Sequence, residues 1–297
     1  MRFVGKLVPH KEAAIRNRRP ICTCLALMIC VIARPSLAAA TDLRPEAVQG
    51  FDRYIRLTEK RLAGEVVPGG VFLWVDSLPE PKRSETLARL KRGEVVSEKL
   101  QTPDPSGNSS TPGALIHHWV GTVFIPGASL GRALALVQDY DHHTEYYKPE
   151  VVKSKTVEHA GNDFKVYLRL KKKKVITVVL DTEYAVHYHS LDATHAFSES
   201  YSTRIAEINH PDEPDERATP EGRGAGFMWR LDSYWRFAER DGGTYVQCEA
   251  ISLTRDIPTG LSWLIAPFIE SIPRESLEFT LLSTRSAVLR GGGHALP

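Results

Sequence analysis

Between Val151 and Arg255 the chain carries six strand-like runs separated only by turn signals, and a single helix-length segment, Pro273–Arg290, follows them. The runs are 151–158, 164–170, 175–188, 197–208, 226–239 and 244–255. Strands joined by short turns pair with their neighbours, so this part of the chain must form an antiparallel meander. A seventh strand, Leu115–Ile125, precedes it, followed by a helix at Ser129–Gln138 and a short helical piece around Tyr146 and Tyr147. A seven-stranded sheet exposes a large apolar face, and the closing helix is the element able to cover it. The fold class is therefore α+β: a curved antiparallel sheet around a long C-terminal helix.

The upstream third reads differently. Asp42–Leu62 suits a helix with Pro45 near its first turn, Val71–Val75 is a short apolar run, and Pro81–Arg92 suits a second helix stopped at Gly93. The stretch 101–113 is rich in Pro, Ser, Gly and Asn and reads as a linker. This divides the chain into an extension at 41–113, a main domain at 114–290 and a glycine-led tail at 291–297.

Residues 1–40 read as a signal peptide. Arg16, Arg18 and Arg19 precede the apolar run Ile21–Ala33, and Ser36-Leu37-Ala38-Ala39-Ala40 offers a small-residue cleavage site. The expected location is outside the cytoplasm, in the periplasm, with a membrane anchor at 21–33 as the alternative. The formal net charge is +2, yet residues 1–40 hold seven Lys/Arg and one acid, so the body carries −4. Such a body offers no electrostatic footprint for nucleic acid. Three of the four cysteines lie in the apolar run; Cys248 alone remains beyond it, so the body forms no internal disulfide.

The element order resembles the START-like, or polyketide cyclase (SRPBCC, helix-grip), superfamily over about residues 114–290. The phrases Gln138-Asp139-Tyr140-Asp141, Glu145-Tyr146-Tyr147, Pro149-Glu150-Val151 and Ile272-Pro273-Arg274-Glu275-Ser276-Leu277 carry the resemblance. It implies a cavity between sheet and helix. It does not imply one substrate, because such folds serve binding and catalysis alike.

Strand parity nominates the lining. On 226–239 the odd positions Phe227, Trp229, Leu231, Trp235 and Phe237 are apolar, and the even ones include Arg230, Asp232 and Arg236. A three-residue turn at Asp241-Gly242-Gly243 then brings Ile251 and Leu253 to the same inner face, with Glu249 beside Trp235 and Arg255 beside Trp229. Phe164, Val166, Leu168, Leu180 and Tyr184 fall inward by the same reasoning. The expected ligand-binding set is Trp119, Tyr140, Tyr184, Arg204, Trp229, Trp235, Glu249 and Arg255, with Arg204 as a partner for Glu249. An inward charge pair serves either as an internal salt bridge or as a headgroup anchor.

No G-x-S-x-G, P-loop, H-E-x-x-H or, beyond residue 40, C-x-x-C is present. No cofactor and no metal are expected, although His187 and His189 share a strand face. Lys171–Lys174 is a hairpin tip, able to touch an anionic membrane surface or simply solvated. Three readings stay open. One is a carrier of a lipid or other hydrophobic small molecule. Another is a cyclase- or hydrolase-type enzyme using His142, Glu249 and Tyr184. The last is a scaffold acting through 41–113.

Overall fold

The computed structural model describes residues 41–174, 176–256 and 262–291, with side chains from residue 270 onward in the last segment. The expected signal peptide, the alternative anchor at 21–33 and tail residues 292–297 lie outside the described residues. Among the described residues no helix is long and apolar enough to cross a membrane.

The helices are α1 (Pro45–Glu65), α2 (Lys82–Lys91), α3 (Leu130–Gln138), α4 (His143–Tyr146) and α5 (Ser262–Arg290). The main strands are β1 (Val96–Lys99), β2 (Ala114–Pro126), β3 (Val151–Ala160), β4 (Asp163–Lys173), β5 (Thr177–Ser190), β6 (His195–Asn209), β7 (Arg230–Arg240) and β8 (Gly243–Arg255). They lie in the order β1-β2-β8-β7-β6-β5-β4-β3, all neighbours antiparallel, and the two-residue strand Arg217–Ala218 pairs with β6. The sheet thus has nine strands instead of seven. β1 comes from the extension, and the chain between β6 and β7 supplies the two-residue strand. The sheet is not closed, and α5 lies across one face in the helix-grip arrangement.

Helix α5 starts before Pro273, so that proline stands inside the helix and does not open it. Gly121 of β2 lets α5 approach: a Cβ there would sit 2.7 Å from Leu281 Cδ1 and 3.2 Å from Leu277. The inner face packs Val123, Ile125, Phe237 and Val246 against Leu277, Leu281, Ala287 and Val288, with α3 and Tyr140, Tyr146 and Tyr147 at one end. Ser129 caps α3 by accepting from the Arg132 N–H.

The extension covers much of the opposite, outer face. Ala47, Phe51, Tyr54, Ile55 and Leu62 of α1 recur at helical spacing and pack on Tyr234, Ile251 and Leu253. Leu73, Val75 and Leu90 pack on Phe124, Ala238 and Tyr245. At about 2 kcal/mol for each large buried side chain, this second layer contributes to stability on the scale of the core itself. The described residues of the extension and the sheet form one compact unit.

Candidate functional site

The turn between β7 and β8 has two residues. Arg240 pairs with Gly243, and Asp241 and Gly242 have φ of 59° and 75°. Two successive positive φ values make a type I′ turn, whose twist suits a tight hairpin. Odd positions of β7 therefore oppose even positions of β8: Trp235 pairs with Cys248, and Glu249 pairs with Tyr234. The three-residue turn expected from the sequence is overturned, and Glu249, Ile251 and Leu253 move to the outer face. The error has a physical cause. Apolar side chains do not mark one inner face when α1 and α5 bury both sides of β8.

Four of the expected lining residues lie on the inner side. Trp119, Tyr184 and Trp235 point there from β2, β5 and β7, and Tyr140 joins the packed end of the same core. The Tyr140 hydroxyl hydrogen-bonds the Tyr188 hydroxyl at 2.8 Å. The other four do not join them. Trp229 precedes the regular part of β7 and packs in the outer cluster with Phe51 and Tyr54. Arg255 flanks it, since a Cβ on Gly226 would lie 2.5 Å from Arg255 Cβ and 2.9 Å from the Trp229 ring. These two are neighbours as the sequence reading held, but not on the inner face. Arg204 pairs with Glu183 at 3.1 Å on the outer face, not with Glu249. A β-bulge between β5 and β6 near Thr203 shifts its parity.

Glu249 belongs to a buried polar network beneath α1. His118 Nε2 lies 2.7 Å from Glu249 Oε1, and both side chains are 2% exposed. The Tyr54 hydroxyl lies 2.8 Å from His118 Nδ1 and accepts from the Thr102 N–H at 2.8 Å. Arg61 donates to Glu249 and, at 2.7 Å, to Glu65, which also accepts from Arg236. The imidazole thus bridges the carboxylate at Nε2 and the Tyr54 hydroxyl at Nδ1, so both ring nitrogens have partners. Burial pushes the Glu249 carboxyl upward, but donation by His118 and the Arg61 charge outweigh it and hold it below the ordinary value. Tyr54, Arg61 and His118 were not legible as partners, because each joins Glu249 only through the corrected register. Nearby, Asp232 is buried without such a donor. Burial, reinforced by Glu59, lifts its carboxyl to about 7 against a weak hydrogen bond from the Ser202 N–H.

The acid–base set does not assemble. Glu249 is on the outer face and Tyr184 on the inner one, so they share no substrate atom. His143 is buried against the Val137 carbonyl, and burial pulls it down to about 4. His142 pairs with Asp139, which raises it. His187 and His189 do share the outer face, where they meet Asp163 and Glu199. In the lysine run, Lys171, Lys172 and Lys174 pair with Asp212, Glu150 and Glu275 respectively.

What the inner face does provide is apolar surface that is incompletely covered. Trp119, Leu168, Leu170, Leu231, Trp235, Ala250 and Phe279 stand against the core but remain only partly buried. Ala250, Ser233 and Ser200 lie side by side on β8, β7 and β6, with Trp119 next in the row on β2. Three small side chains thus stand in register there, whereas the row through Val123, Val246 and Phe237 is fully buried. Trp119 Nε1 is shielded from solvent and has no acceptor among the described residues. Alternation on 226–239 already turned Leu231 and Ser233 inward, as observed, whereas Ala250 escaped the sequence reading because its alignment depends on the turn.

No family model matches the sequence, and no curated protein matches it. Solved structures similar to the chain are START/lipid-transfer and aromatase/cyclase proteins. A STAR-related lipid transfer protein (fragment 25–204) from Xanthomonas axonopodis is 16% identical, with a TM-score of 0.42, covering 65% of this chain and 98% of that one. Human STARD10 is 9% identical at TM-score 0.40, covering 72% and 81%. The Zhui aromatase/cyclase from Streptomyces sp. R1128 is 12% identical at TM-score 0.39, covering 61% and 100%. The helix-grip assignment itself rests on the strand order and on the placement of α5.

Proposed function

We propose that this protein is an exported binding protein that holds a lipid or other hydrophobic small molecule between the sheet and α5. The observation that carries the reading is the incompletely covered apolar row around Trp119, Leu231, Trp235 and Ala250 on the inner face. A core that served packing alone would bury these side chains, since interiors pack near crystal density. Ligand sites in proteins are concave, mostly apolar and carry few polar groups, as this face does. The three groups nominated for the catalytic alternative, His142, Glu249 and Tyr184, do not converge, since Glu249 and Tyr184 lie on opposite faces of the sheet, and the scaffold alternative leaves the partly buried row without a use.

Native mass spectrometry and organic extraction of the protein purified from an exporting host test the reading. The expected result is a stoichiometric apolar molecule released by solvent. A protein that carries nothing, and that takes up no apolar probe after delipidation, overturns it. N-terminal sequencing of the exported chain tests the localisation: a start near residue 41 supports cleavage, and a retained Met1 supports the anchor.

A further inference from the structure

The network around Glu249 seats one part of α1, and a second buried carboxyl group lies under the same helix. Asp232 stands on the outer face of β7, flanked by Tyr201 on β6 and Ile251 on β8, and is 7% exposed. Helix α1 covers this surface through Phe51, Tyr54 and Ile55, and the charges it brings toward Asp232 have the same sign. Glu59 accepts from the Tyr201 hydroxyl at 2.7 Å and the Tyr234 hydroxyl at 3.1 Å, and Asp52 adds a second acid from the same helix. Burial and the Glu59 carboxylate hold both phenols well above their ordinary value, so they remain donors. From the sheet, Asp232 receives a long bond, 3.3 Å from the Ser202 N–H. Arg230 is the nearby cation, but it donates to Glu221 and to the Trp229 carbonyl, both at 3.1 Å. Among the described residues no basic side chain forms a salt bridge with Asp232.

Ionising Asp232 therefore buries a second carboxylate beside Glu59 without a paired cation. The cover and the like charges both belong to α1, so lifting α1 relieves the desolvation and the repulsion together. We propose that α1 is a pH-sensitive cover, seated on β7 and β8 while Asp232 carries its proton and loosened when the proton leaves. Burial, reinforced by Glu59, lifts this carboxyl to about 7. The seated form thus holds a proton that the open form releases, so opening grows as the pH rises from the ordinary carboxylate range to about 7 and levels off above it. Glu249 stays ionised across that window, because its carboxyl is held below its ordinary value. Its contact with Arg61 gives the change in α1 no second source there. Opening uncovers Tyr234, Ile251 and Leu253 on the outer face.

Hydrogen exchange followed by mass spectrometry on the full chain tests this from pH 5 to 8.5, each rate divided by the intrinsic rate at that pH. Protection of the α1 amides from Phe51 to Leu62 should fall by about tenfold per pH unit up to about 7 and then stay level. It should lie below the protection of the central strands throughout, the sign of an opening that leaves the sheet folded. Asp232→Asn keeps the size of the side chain and should hold α1 protection level across the range. Glu59→Gln keeps an acceptor for the two tyrosines, and should reduce the total fall and end it at a lower pH. Parent protection that does not change between pH 5 and 8 overturns the proposal. A fall of the same size in Asp232→Asn also overturns it, and assigns the change to another group under α1 such as His118. Protection of α1 equal to that of the central strands at every pH overturns it too, since the helix then leaves only when the whole protein unfolds.

Discussion

Replacing Glu249 by glutamine tests the corrected register and the role of the outer face at once. Glu249 and His118 are each 2% exposed, so their contact is fully desolvated. Arg61 is 38% exposed; it can turn to water and keep Glu65, so its share of the loss is small. Glutamine keeps an acceptor for His118 Nε2–H but removes the charge, and a charge-assisted bond is about twice as strong as a neutral one. The expected loss is about 2 kcal/mol, which for a domain of this size lowers the melting temperature by about 4–8 °C. The pH dependence carries a sign. The folded carboxyl is held below its ordinary value near 4.5, so its contribution is present above that pH and disappears as the pH falls through the lowered folded value. The gap between the two proteins should therefore close in acid. Thermal melts by circular dichroism from pH 3.5 to 8 measure it, with ligand retention followed in parallel. Retention should not change, because the sheet separates Glu249 from the inner face. A variant that melts with the parent but loses its ligand would falsify the two-residue turn and place Glu249 inside.

Asp232→Asn should act in the opposite direction. Its carboxyl is raised from 3.8 to about 7, so the parent loses stability as the pH rises between those values and the variant does not. The variant should melt higher at pH 8, by up to about 4 kcal/mol of stability, and match the parent near pH 4; equal melts at pH 8 refute the buried-carboxylate reading. Ala250→Leu adds side chain to the row of small residues. It should abolish uptake of an apolar probe by the delipidated protein with little change in melting temperature, whereas a fall of about 10 °C means that the row has no free space. A chain beginning at residue 114 loses the cover over Tyr234, Ile251 and Leu253, strands Arg236 and leaves Glu249 with His118 but without Arg61. It should lack a cooperative melt, and a well-folded product that still binds its ligand shows the extension to be dispensable.

The sequence disclosed the architecture and the inward parity of part of the expected lining, and the reasons why the rest departed lie in particular residues. Element order needs only local signals: the turn residues between strands, the serine cap at Ser129 and the helical spacing of Phe51, Tyr54, Ile55 and Leu62. The parity of β4 and β5 was also legible, because their outer face is polar, with Lys165, Arg169, Asp181 and His187 against inward Phe164, Val166 and Tyr184. On β8 the contrast vanishes. Its burial is nearly continuous from Gly243 to Thr254, so Ile251 and Leu253 looked inward when α1 was what covered them. The Asp241-Gly242 dipeptide favours the two-residue turn, and that local preference governs the register. Trp229 failed for another reason: alternation applies within a ladder, and Trp229 stands before its first pair.

The two buried faces of β8 solve different problems. Toward α1 it presents Gln247 and Glu249, whose polar atoms are hydrogen-bonded to Trp74, His118 and Arg61. Buried polar groups are costly unless paired, so they dictate where α1 sits. Moving that helix by one turn, about 5.4 Å, breaks the Tyr54, Thr58 and Arg61 contacts together. Toward α5 the same strand presents Val246, Cys248 and Ala250, which impose contact and volume but no direction. A face without directional demands does not specify a unique partner, and it can accept either a helix side chain or a ligand atom at similar cost. Substitutions that disturb the outer face should therefore be read out as stability, and those beside Ala250 as occupancy. One strand serves both because adjacent side chains point to opposite sides of the sheet.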